Sequence, residues 1–164
     1  MEEEGESVMM KWIGVPLAII LGDGMLKKCA EDKLADGKTK ELFGGNIRLQ
    51  LLHNPGVALG ALAKNPEMVL AVNSAMLGMV AGEFAGVQKR EGAIAVKMGL
   101  ALLLGGGASN LIDRLRRGYV TDYFSINAGK RFQRLGDVVF NCSDFCVFAG
   151  ILCYVIGELK NSKP

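Results

Sequence analysis

The residues best suited to chemistry lie in two short stretches, NLIDRLRRGYVTDYF at 110–124 and FNCSD at 140–144. Asp113, Asp122 and Asp144 each sit at the margin of an apolar run. Carboxylates beside hydrocarbon are costly, and function is the default reason to keep them. Two that converge have a specific use. At a few ångströms both cannot ionise, so one keeps its proton at neutral pH. The charged member takes a proton from water while the neutral member polarises a peptide carbonyl. This is aspartic-protease chemistry, with no metal and no covalent intermediate, and its two pKa values belong to the pair.

Helical spacing puts Asn110, Asp113 and Arg114 at i, i+3 and i+4, on one face. Asn141 and Asp144 are three apart and share a face at the start of a following helix. Asp122 falls just past the earlier helix, in YVTDYF, a segment rich in strand formers. Each residue also has a plainer role. Asp113 can pair with Arg114 or close a helix end. Asp144 can cap its helix, Asp122 can be a turn residue, and Arg116 and Arg117 can bind lipid phosphates. Spacing alone leaves these roles open beside catalysis.

The elements that must position these groups are apolar. Half the 164 residues are hydrophobic, and mean hydropathy is +0.26. Four apolar runs stand out, at 8–22, 68–87, 92–112 and 138–157. A membrane-spanning helix needs about 20 such residues; the last three runs reach that length and the first falls short. A buried soluble bundle also yields runs of this kind. Lys11 and Lys97 lie near run ends, where long side chains snorkel to the interface. Glu83 lies mid-run, where an acidic group costs roughly 2.5–3.5 kcal/mol, so it is expected to face a helix neighbour or the surface. The expected fold class is a mainly α membrane protein of one domain, 1–164, with four transmembrane helices. With four spans, the polar regions 23–67 and 113–137 share one membrane face and build a cap. There the alternation in IRLQLL, with turn signals at FGGN and HNPG, predicts short strands. The short connection QKREG faces the other way. The acidic start MEEEGES and the lack of a cleavage site predict that the first segment is retained as an anchor.

Charge is nearly balanced, 19 Lys and Arg against 17 Asp and Glu, so nothing calls for a nucleic-acid partner. The four cysteines form no CxxC pair, and Cys142 and Cys146 read as small hydrophobes. His53 has no companion ligands, whereas zinc needs three or four. No metal or other cofactor is expected.

These residues resemble lipoprotein signal peptidase (signal peptidase II), a four-span membrane aspartic protease family. LGDGMLKK resembles the family's D-Q-x-T-K element, with Asp23 and Lys27 in register. HNPGVALGAL resembles N-x-G-x-A-F through Asn54, Gly56 and Ala58, with Leu59 where Phe is usual. GGGASNLIDRLRRGYVTDYF matches the third block at Asn110, Asp113, Arg114, Gly118, Val120 and Asp122. FNCSD matches F-N-x-A-D at Asn141 and Asp144, with Ser143 in place of Ala. The resemblance implies that Asp122 and Asp144 are catalytic. It implies that Asn54, Gly56, Asn110, Asp113, Arg114 and Asn141 bind substrate or support the site, and that region 40–60 forms a β-cradle on the membrane. The implied substrate is a prolipoprotein whose cysteine carries diacylglycerol, cut just before that cysteine, by an enzyme in contact with membrane lipids. The implied setting is the bacterial inner membrane, with a multi-pass chain acting as a monomer. Only QKREG and LKNSK follow the positive-inside rule. Two other readings remain. One is a non-catalytic or solubilised relative that binds lipopeptide without cutting. The other is a small transporter with a carboxylate relay, which requires a polar path through the membrane.

Overall fold

Long apolar stretches build the helices here, and a region of alternating side chains builds a small sheet beside their ends. The structure is a computed structural model that describes residues 2–56, 64–127 and 138–162, with the backbone alone over residues 2–11. Ala58 and Leu59, the Lys11 side chain and the cap segments 57–63 and 128–137 lie outside the described residues. The elements run in order α1 (Glu2–Leu34), β1 (Lys40–Leu42), a 3-10 turn (Phe43–Gly45), β2 (Ile47–Asn54), α2 (Pro66–Val87), α3 (Ile94–Arg117), β3 (Val120–Ile126), β4 (Val139–Phe140) and α4 (Cys142–Asn161).

Helix α3 is the hub, packed against α1, α2 and α4. Its contact with α4 depends on missing side chains. A Cβ on Gly99 would lie 2.6 Å from the Tyr154 nitrogen, and one on Gly106 would lie 2.5 Å from the Ser143 carbonyl. Small residues let membrane helices approach this closely, which is the use of the glycine-rich run before Asn110. Helices α2, α3 and α4 are long and apolar enough to cross a membrane. Large apolar side chains cover their outer faces, such as Met76 and Met79 on α2 and Phe148 and Leu152 on α4. Phe84, Val87, Val96 and Leu100 form the buried core at the end where α2 turns into α3.

Helix α1 does not stop where its apolar run does. Residues 23–34 continue it, and Ala30 and Leu34 pack with Tyr123 against Leu49, Leu51 and Phe124 of the sheet. The sheet has the order β1-β2-β3-β4, all antiparallel. Strand β2 covers IRLQLL, as its alternation predicts. A bulge between Leu49 and Leu52 shifts its register on β3, so that Leu52 faces Asp122. Residues 120–123 and 125 are buried, because α1 and the ends of α3 and α4 enclose β3.

Two details correct the sequence expectations. Lys97 does not snorkel: it is 7% exposed, and its ammonium donates to the Gln88 carbonyl at 2.9 Å, closing the C-terminal end of α2. The start of the fourth apolar run is not helical either. Val139–Phe140 pairs as β4 with β3, and α4 begins at Cys142. Glu83 is exposed on α2.

Candidate active site

Three helix ends and the sheet meet at one end of the bundle: the later turns of α1, the last turns of α3 and the first turn of α4. Helix α3 ends where Gly118 adopts φ 80° and returns its N–H to the Arg114 carbonyl at 3.0 Å. This left-handed cap, natural to glycine, lets the chain reverse at once into β3 and delivers Asp122 beside the helix it has just left.

Asn141 organises the start of α4. Its side-chain carbonyl accepts from the Asp144 N–H at 3.0 Å, and the Asp144 carboxylate accepts from the Asn141 N–H at 3.0 Å. This is a reciprocal capping box. Asn141 is therefore the cap and Asp144 its partner one turn in, the reverse of the simple capping role considered for Asp144. The free amide N–H₂ of Asn141 donates to Asp122 Oδ1 at 2.7 Å. One side chain thus touches both aspartates.

The other oxygens are also met. Asn54 Nδ2 donates to Asp122 Oδ2 at 3.1 Å, and its own carbonyl accepts from the Gly56 N–H at 3.0 Å. Asn110 Nδ2 donates to Asp144 Oδ1 at 3.0 Å. Asp122 is 2% exposed. Burial, and then the Asp144 charge, push its carboxyl up to about 6, against the hydrogen bonds from Asn54 and Asn141 and the charge of Lys27. Arg114 reaches across to the Gly56 carbonyl and also donates to the Asn110 carbonyl at 3.3 Å.

Among the sequence candidates, the structure brings together Asn54, Gly56, Asn110, Arg114, Asp122, Asn141 and Asp144. Asp113 is set apart behind them, and its partner is not Arg114. Its carboxylate lies 2.9 Å from the Lys27 ammonium and accepts from the Thr121 N–H at 3.4 Å. Neighbouring residues on a helix do not face each other.

Lys27 and its surroundings had no role assigned by spacing. The residue is 1% exposed. Its ammonium lies 2.8 Å from Asp23 and donates to Asn110 Oδ1 at 2.8 Å and to Ser109 Oγ at 3.3 Å. Asp23 in turn accepts from Ser109 Oγ and Ser143 Oγ, each at 2.6 Å, and from the Tyr123 hydroxyl at 3.3 Å. The Tyr123 oxygen accepts from the Cys142 N–H at 2.8 Å. Burial and the Asp23 charge hold the Tyr123 phenol well above its usual range, so it stays protonated. The i, i+4 spacing of Asp23 and Lys27 was the visible signal for this network.

Outside it, Glu31 of α1 accepts from Thr121 Oγ1 at 2.8 Å and from Arg117 at 3.3 Å. The His53 ring nitrogen lies 3.0 Å from Glu31, and its ring stacks on Tyr119 at a centroid separation of 4.2 Å. These contacts tie α1 to β2 and β3. Among the described residues, no group of His, Cys, Asp and Glu could hold a metal ion.

The chain is 30% identical over 155 residues to a lipoprotein signal peptidase of Parasynechococcus marenigrum, covering 92% of this chain and 89% of that one. It is 31% identical to one of Gloeobacter violaceus, covering 93% and 83%. It is 30% identical to one of Clostridioides difficile, covering 90% and 95%. A bacterial membrane enzyme solved by the in meso method at 2.3 Å resolution shares the fold, with a TM-score of 0.76 and 20% identity over 93% of this chain and 92% of that one. The family model described as Signal peptidase (SPase) II matches residues 15–160, and the chain belongs to that family.

Proposed function

We propose that Asp122 and Asp144 are the catalytic dyad of a membrane aspartic endopeptidase, a lipoprotein signal peptidase that removes the signal peptide from prolipoproteins. The observation that carries the assignment is the Asn141 side chain, which donates to Asp122 and accepts from the Asp144 backbone. An aspartate kept only as a cap or turn residue has no need of this bridge. The Asp122 carboxyl, pushed up to about 6 by burial and then by the Asp144 charge, suits a group that shares a proton with its neighbour.

In the reaction, the ionised carboxylate takes a proton from a water molecule, whose oxygen attacks the peptide carbonyl just before the lipidated cysteine. The protonated carboxyl gives its proton to that carbonyl oxygen. The tetrahedral intermediate collapses, and the cysteine amine leaves with a proton returned from the pair. Asn54, Asn110 and Asn141 hold the carboxylates in register. Arg114 ties the end of α3 to the Gly56 carbonyl just past β2. The substrate is a prolipoprotein bearing diacylglyceryl-cysteine, and its acyl chains lie in the bilayer beside the exposed apolar faces. The apolar part of α1 is the fourth span, and regions 23–67 and 113–137 form the extracytoplasmic cap of one domain. The enzyme works as a monomer in the inner membrane of a bacterium.

The polar groups gather at one end of the bundle, and Glu83 is exposed on α2. Neither fact favours a transporter with a relay through the membrane. A non-catalytic relative likewise finds no support in the relatives, which are named as peptidases.

The test is cleavage of a diacylglyceryl-modified prolipoprotein in detergent. Asp122→Asn and Asp144→Asn are each expected to lower turnover at least ~10³-fold, about 4 kcal/mol of barrier, while the protein extracts and melts as a folded species. Turnover near wild type in either variant ends the dyad assignment.

A further inference from the structure

We propose that Lys27 is a positioning residue of this site: by holding Asn110 in one orientation it keeps Asp144 as the charged member of the pair and leaves the shared proton on Asp122. The inference rests on the dyad reading above.

Hydrogen bonds to the aspartates do not choose between them, because each carboxylate oxygen receives one N–H donor. The difference lies in what fixes the donors. Asn54 is oriented by the Gly56 N–H and Asn141 by the Asp144 N–H, both local backbone groups. Asn110 is oriented by Lys27 alone among the described contacts. The ammonium takes its carbonyl oxygen at 2.8 Å, so only the N–H₂ is left to face Asp144 at 3.0 Å. An ammonium cannot accept a hydrogen bond, so the amide cannot turn over while Lys27 stays. If it turned, its carbonyl oxygen would meet Asp144 Oδ1 and call for a proton there. Asp144 also sits in the first turn of α4, where the helix dipole favours negative charge. Asp122 lies on a strand and has no such support.

Lys27 is itself held tightly. Asp23 and Asp113 flank it at 2.8 and 2.9 Å, and Ser109, Ser143 and Tyr123 complete Asp23. The other charged group close to the pair is Arg114, from α3, which is engaged by the Gly56 and Asn110 carbonyls. Each element packed on the site therefore presents fixed partners: Asp23 and Lys27 from α1, Asp113 and Arg114 from α3, Asp122 and Tyr123 from β3, and Asp144 from α4.

The experiment is a double-mutant cycle on kcat/KM against pH, with Lys27→Met, Asn110→Leu and the double variant. Lys27→Met strands two buried carboxylates, so it is also made with Asp23→Asn, which leaves the net charge of the cluster unchanged. Either single change is expected to move the acid-side midpoint of the profile to higher pH by roughly one unit, with the effect in kcat rather than KM. The double variant is expected to shift no further than either single one. Lys27→Arg, which keeps a donor and a charge, is expected to recover part of the shift. A uniform loss of rate with an unmoved midpoint, or shifts that add in the double variant, overturns the inference. If neither lysine variant folds, Asn110→Leu decides by itself: an unmoved midpoint is fatal. Should the aspartate variants above retain activity, the dyad reading fails; should they be inactive while the midpoints stay put, the role of Lys27 alone fails.

Discussion

At the scale of single residues, Asp122 stores a pH dependence. Its carboxyl is pushed up to about 6, while an unfolded chain titrates near 3.8. The folded state therefore holds this proton more tightly. Its contribution is fully present below the unfolded value and is lost as pH rises through about 6. The difference corresponds to roughly 3 kcal/mol at most. Asp122→Asn removes that penalty but points one amide N–H at the donors of Asn54 or Asn141, a cost of about 1–2 kcal/mol. The thermal midpoint of the variant, measured in detergent, is expected to gain on wild type between about pH 4 and pH 7. A constant difference across that window contradicts the assignment of the shift. The aspartates that crowd the helix margins were legible in the sequence because charge beside hydrocarbon is conspicuous. Lys27 was legible as a match to the D-Q-x-T-K element and as a residue one turn from Asp23, but its hold on the groups around the aspartates was not. Only the fold brings Asp113 and Asn110 to it.

Elements place these side chains through backbone contact. The Ser143 carbonyl rests against Gly106, so the first turn of α4 is seated directly on α3. Gly106→Ala is expected to push that turn away, lowering stability by about 1–3 kcal/mol and cleavage at least ~10-fold. Gly82→Ala, on α2, meets nothing within 4 Å and is expected to leave cleavage unchanged, with a slight gain in stability from helix propensity. Equal losses in the two variants speak against the seating argument. Apolar runs identified three of the helices, yet they misplaced the start of α4. Val139 and Phe140 are apolar in strand and helix alike, and a short run carries no period to tell them apart. The extension of α1 through residues 23–34 was hidden for the opposite reason: charged and small residues break up its apolar pattern, and only Ala30 and Leu34 report the sheet beneath.

For the molecule as a whole, the consequence is orientation. Charge does not orient the chain, because its basic residues crowd the side assigned to the cap. Cys29 is exposed on the part of α1 beyond the apolar run, at the same end as the aspartates. With Cys142, Cys146 and Cys153 changed to Ala, a membrane-impermeant maleimide is expected to label the protein in intact spheroplasts. Labelling only after permeabilisation reverses the proposed topology. The fold itself was readable as a bundle with a small sheet, because lengths and alternation are local properties. The convergence of α1, α3, β3 and α4 at one end was not, since it follows from which helix ends are neighbours.

The capping box at Asn141 gives the site a clock. The backbone amides of Asn141 and Asp144 both bond to side chains of the same pair of residues. Neither can exchange its hydrogen for deuterium until the first turn of α4 opens. Fraying of that turn and dismantling of the carboxylate pair are one event, so two peptide hydrogens in the backbone record how often the site comes apart. A ligand seated between the aspartates would slow both together.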